Sequence, residues 1–102
     1  MSIVVENRHI FKGRDTDIEK ELEDWLVEKH IPYEKQEPIG SFTLVDFFIP
    51  PNICLYADGD YWHSSEKVVI RDRWITRALT LRGFKVIRLR GSAIKQGVRP
   101  EL

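Results

Sequence analysis

The sequence predicts a mixed α/β fold: one domain, residues 1–102, with helices packed on a mixed central β-sheet. Three observations predict it. An apolar stripe of helical period lies near the start, short apolar runs closed by proline and glycine turns fill the middle, and a second helical stripe then precedes one more apolar run. From Asp15 to Lys29, residues Ile18, Leu22, Trp25 and Leu26 fall on one helical face. Asp15 and Thr16 are candidate caps, and His30-Ile31-Pro32 ends the helix because proline disfavours helical geometry before it. Tyr33–Glu37 reads as a short edge strand, closed by a turn at Pro38-Ile39-Gly40. Phe42–Ile49 and Ile53–Ala57 read as two largely buried strands around Pro50-Pro51-Asn52, forming an antiparallel hairpin. Ser65–Arg82 returns to helical period, with Val68, Ile75 and Leu79 as its stripe and Gly83 as its terminator. Phe84–Leu89 is the last strand, and Ser92–Gln96 a short closing helix. The expected order is therefore α-β-β-β-α-β, with a short final helix.

Composition narrows the class of protein. The 102 residues are 42% hydrophobic and 31% charged, ordinary for a small globular domain with one core. No run of about 18 apolar residues is present to span a membrane, and the first residues lack the plan of a signal peptide, so a cytoplasmic protein is expected. Cys54 is the single cysteine, which excludes an internal disulfide and a cysteine-rich zinc site; a bound metal is expected on oxygen ligands, with no zinc. Net charge is zero, but it is divided unevenly. Residues 1–63 hold 6 Lys/Arg against 13 Asp/Glu, and residues 64–102 hold 10 against 3. An acidic half beside a basic half suits carboxylates holding cations while arginines meet phosphates; it equally describes two solvated faces.

The residues that could carry chemistry begin with Asp46. It interrupts a bulky apolar run between Leu44-Val45 and Phe47-Phe48, and a lone carboxylate in a buried strand is costly unless paired or metal-bound. The alternative is a strand alternation that turns Asp46 to solvent. Asp58-Gly59-Asp60 ends the neighbouring strand, where a second carboxylate can approach Asp46, although Asp-Gly alone is a common turn. Tyr61-Trp62-His63 follows: aromatics that can stack on or wedge between bases, and a histidine able to move a proton near neutral pH. The plainer reading is that the aromatics cap a core and His63 is structural. Asp72 falls among the apolar positions of the second helix, as a functional carboxylate or one half of a buried Asp–Arg pair. Glu19 shares a face with Leu22 and Leu26. Arg71, Arg73, Arg77 and Arg88 stand among several cations in the second half whose planar forks suit phosphate.

Together, Glu19 and Leu22, Val45-Asp46-Phe47-Phe48-Ile49-Pro50, Leu55 through His63, Arg71-Asp72-Arg73 and Leu81 through Arg88 resemble the very short patch repair endonucleases and the related homing-endonuclease catalytic domains. These belong to the PD-(D/E)xK restriction-endonuclease-like superfamily, and the resemblance spans roughly residues 16–95. It implies a single restriction-endonuclease-like domain that hydrolyses DNA phosphodiesters with Mg²⁺ or Mn²⁺. It implies that Asp46 binds the metal, that Ala57 supplies a main-chain carbonyl, and that His63 moves a proton. It further implies that Asp72 orients that histidine or a water, that Glu19 borders the metal site, and that Tyr61 and Trp62 wedge into the DNA stack. Asp58 stands where the repair enzymes carry histidine and related small nucleases carry aspartate, which makes it a further candidate metal ligand. Tyr56 stands where many superfamily members place glutamate, and the nearby lysine is absent. The repair enzymes' structural zinc cannot be matched with one cysteine. A DNA endonuclease is thus the expectation, with DNA as partner and a homodimer or larger recognition partner for sequence specificity. A non-catalytic DNA-binding module of the same fold, or a subunit of a DNA-processing assembly, is the alternative; a general protein-interaction domain is a third.

Overall fold

The computed structural model describes residues 17–59 and 66–102. Helix α1 covers 17–28 and is followed by strands β1 (Glu34–Ile39), β2 (Thr43–Ile49) and β3 (Ile53–Asp58). Helix α2 (Glu66–Leu81), strand β4 (Lys85–Arg90) and the short helix α3 (Gly91–Lys95) follow. The order matches the α-β-β-β-α-β expectation. The caps expected at Asp15 and Thr16 lie outside the described residues.

The four strands form one mixed sheet in the order β1-β2-β3-β4. Adjacent strands β1–β2 and β2–β3 pair antiparallel, and β3–β4 pair parallel. A parallel pair needs a crossover, and α2 supplies it. Helices cover both faces. Ile18, Leu22 and Leu26 of α1 pack with Phe47, Ile49, Leu55, Ala57 and Ile94, while Ile75 and Leu79 of α2 pack with Val45, Cys54 and Tyr56. Strand β3 lies between β2 and β4, and its four central residues, Cys54 to Ala57, are all buried. Covering both faces is why this strand reads as an unbroken apolar run rather than an alternation.

Strand β1 runs through Pro38 and Ile39, beyond the turn expected there, and pairs Pro38 with Leu44. Proline tolerates this place because β1 is an edge strand, where a missing N–H breaks no inner ladder. The turn is instead at Gly40, with a φ of 60°.

The three helices among the described residues end alike. The amide of Ile31 bonds back to the Leu26 carbonyl and that of His30 to Val27; Phe84 bonds to Leu79 and Gly83 to Thr80; Val98 bonds to Ala93 and Gly97 to Ile94. Each is the paired closure of a Schellman motif, which puts one residue in the left-handed region. That residue is Gly83 after α2 (φ 94°) but His30 after α1 (φ 59°), so α1 stops through this cap as well as through Pro32. A Cβ on Gly83 meets nothing within 4 Å, so Gly83→Ala costs only backbone strain. The expected loss is about 1 kcal/mol, checked by chemical denaturation; an unchanged midpoint contradicts the assigned cap.

Candidate active site

Strand β2 pairs with β3 at Phe47–Leu55, Phe48–Cys54 and Ile49–Ile53, and that pairing stops before Asp46. In the opening beyond it, the Ala57 amide donates to Asp46 Oδ2 at 2.9 Å. On the other side, β1 pairs Lys35 with Phe47 and Glu37 with Val45, leaving Gln36 opposite Asp46. Gln36 has a φ of 53°, left-handed for a residue with a side chain, and its Nε2 donates to Asp46 Oδ1 at 3.4 Å. At this level the period-two alternation of β2 breaks. Val45 and Phe47 are both fully buried yet belong to opposite clusters, on the α2 and α1 faces. Left-handed backbone outside glycine is strained, and such strain concentrates where a side chain is held for a purpose.

Asp46 is half-buried and held in carboxylate-unfriendly surroundings. Burial lifts its pKa from the ordinary 3.8 to about 7; the Ala57 amide pulls it down, while the charges of Glu19 and Asp58 push it further up. Two acidic side chains, from α1 and the end of β3, thus bear on Asp46 of β2. That arrangement opposes ionisation of Asp46 unless a cation balances it, and oxygen donors of this kind suit Mg²⁺ or Mn²⁺. Cys54, by contrast, is fully buried, and burial raises its thiol to about 11. Among the described residues no group of three His, Cys, Asp or Glu forms a ready metal cage.

On the α2 face, Arg88 of β4 reaches several partners. Its Nη1 lies 3.3 Å from Asp58 Oδ1 and 3.8 Å from Asp72 Oδ2. Its Nε donates to Thr76 Oγ1 at 2.7 Å, and its guanidinium lies 4.1 Å from the centre of the Tyr56 ring. The Tyr56 hydroxyl shares a 2.6 Å hydrogen bond with Thr43, and burial raises its pKa.

The sequence-derived candidates divide as follows. Ala57 meets Asp46 through its amide hydrogen rather than its carbonyl, and Glu19 and Asp58 lie near enough for their charges to raise the Asp46 pKa. Asp72 is half-buried on α2, and its described ion pair is with Arg88 rather than with its sequence neighbours Arg71 or Arg73. Arg88, expected on phosphate, has a side chain only 19% exposed and turned to protein partners. Arg71, Arg73 and Arg77 are exposed on α2, and the last two line a cavity of about 310 Å³ with Val69, Asp72, Thr76 and Arg88. Tyr61, Trp62 and His63 lie outside the described residues. Sequence reasoning missed Gln36, Thr43 and Thr76. A lone polar residue in an edge strand gives no warning that its backbone is left-handed.

No protein-family model matches the chain, and no curated protein sequence matches it. The architecture does recur among solved structures, in a class of small α/β domains with a mixed sheet between helices. One is the catalytic domain of the homing endonuclease I-Bth0305I, with a TM-score of 0.67 and 22% identity, matched over 78% of this chain and 80% of that one. The similarity establishes the shared fold. No helix among the described residues is long and apolar enough to cross a membrane.

Proposed function

We propose that the chain is a divalent-cation-dependent DNA endonuclease with a restriction-endonuclease-like active site centred on Asp46. The observation that carries this reading is the Asp46 carboxylate, fixed by the Ala57 amide where β2 and β3 part, its pKa raised by burial and by the charges of Glu19 and Asp58. The fold shared with a homing-endonuclease catalytic domain supports it.

In this reading Asp46 holds Mg²⁺ or Mn²⁺, aided by Asp58 or the Ala57 carbonyl, with Glu19 bordering the site. The bound cation supplies Lewis acidity at a phosphodiester oxygen and eases the ionisation of water. His63 transfers a proton to or from the reacting oxygens, and Asp72 orients it. Arg71, Arg73 and Arg77 grip flanking phosphates from α2, and Tyr61 and Trp62 contact the bases. Such a small surface reads sequence only with a second copy or a larger recognition partner.

One observation favours a second reading, a DNA-binding module without catalysis. Where related nucleases place a glutamate, Tyr56 is buried and bonded to Thr43. EDTA separates the two. The endonuclease nicks or cuts supercoiled plasmid with Mg²⁺ or Mn²⁺, and EDTA stops it. A module binds DNA equally with or without EDTA and never cuts.

A further inference from the structure

We propose that Arg88 is a positioning residue of the cleavage reaction, fixing Asp58 at the end of β3 and Asp72 on α2 with a single planar cation; this rests on the endonuclease reading above. Asp58 and Asp72 belong to different elements, so the local backbone does not set their separation. Arg88 enters from a third element, β4, whose parallel register sets it beside Tyr56. Its Nη1 faces both carboxylates, at 3.3 Å and 3.8 Å. Its Nε is taken by the Thr76 hydroxyl at 2.7 Å, and its Nη2 approaches the Asp72 carbonyl at 3.4 Å. Stacking on the Tyr56 ring at 4.1 Å fixes the plane of the fork. A phosphate would have to reach a side chain that is 19% exposed and has most of its donors turned to protein partners, whereas Arg73 and Arg77 are exposed on the same cavity. Arg88 therefore acts through Asp58 and Asp72 rather than on DNA. A lysine cannot replace it, because one ammonium cannot span both carboxylates and Thr76 while lying flat on a ring.

The test is single-turnover plasmid cleavage at saturating protein by the full chain, alongside DNA affinity measured in EDTA. Arg88→Met is expected to slow the saturated rate by about 10- to 100-fold, the usual consequence of losing a residue that orients a site, with DNA affinity unchanged. Arg88→Lys is expected to recover only a small part of that loss. Thr76→Val, which keeps every charge and removes one anchor of the fork, should slow the rate in the same direction without weakening DNA binding; it serves if Arg88→Met fails to fold. A normal saturated rate in Arg88→Met, or in Thr76→Val where Arg88→Met does not fold, overturns the proposal. So does weakened DNA binding with the saturated rate intact, which would make Arg88 a phosphate contact. An inactive wild-type protein instead overturns the endonuclease reading, and this proposal with it.

Discussion

Asp46→Asn is expected to abolish DNA cleavage and, at pH 8, to make the protein more stable. The two effects have one cause. The fold holds the Asp46 carboxyl at about 7 against an ordinary 3.8, chiefly by burial. A raised pKa means the fold prefers the protonated form. The favourable contribution is complete below about pH 4, shrinks as pH rises, and is gone above about pH 7, where the ionised group opposes folding. Three pKa units correspond to about 4 kcal/mol at most, so a gain of a few kcal/mol is expected for Asp46→Asn at pH 8. Asparagine keeps an oxygen able to accept from the Ala57 amide. At pH 4 the gain should nearly vanish. In the proposed endonuclease, activity moves the opposite way, because the amide cannot supply the charge that would bind a divalent cation; a loss of at least about 10³-fold is expected for removing the proposed metal ligand. Mg²⁺ should raise the wild-type melting temperature at pH 8 and leave that of Asp46→Asn unchanged. Thermal melts at the two pH values check the sign, and a variant less stable than wild type at pH 8 contradicts it.

Phe47→Ala is expected to come close to unfolding the domain. Phe47 is fully buried in the cluster under α1, paired with Leu55 on β3 and set edge-on to Tyr33 at 5.7 Å. Truncating a buried phenylalanine costs about 3–5 kcal/mol, transfer and cavity together. A small domain has only about 5–15 kcal/mol in total. At about 4–8 °C per kcal/mol, the melting temperature should fall by roughly 20 °C. Leu44, three residues away on the same strand, is 52% exposed, and Leu44→Ser should change stability by no more than about 0.5 kcal/mol. Comparable losses for the two variants would contradict the placement of these side chains.

The two helical stripes and the central apolar strand were legible because burial imposes periods that local sequence displays. Ile18, Leu22 and Leu26, and later Ile75 and Leu79, occupy the core as their spacing predicts. Asp46 stood out for a sound reason, a carboxylate in an apolar run, but one flank used to argue its burial misleads. Leu44 is exposed, and Asp46 is half-buried where β2 changes faces between Val45 and Phe47, opposite the left-handed Gln36. No period-two pattern encodes such a break. The pairing of Asp58 with Arg88 was illegible for a different reason: Arg88 lies thirty residues on and arrives only through the parallel pairing of β3 with β4. Asp72 shows the same limit. An Asp–Arg pair was a legible alternative, but sequence proximity pointed to Arg71 and Arg73 while the fold delivers Arg88.

The most direct measurement is a side-by-side plasmid assay of wild-type and Asp46→Asn protein from matched preparations, each with Mg²⁺, with Mn²⁺ and with EDTA. An Asp46-centred, cation-dependent endonuclease gives nicked or linear DNA only from the wild type and only with a divalent cation. Cleavage that survives in Asp46→Asn, or a folded wild-type protein that leaves plasmid intact with both metals, contradicts it.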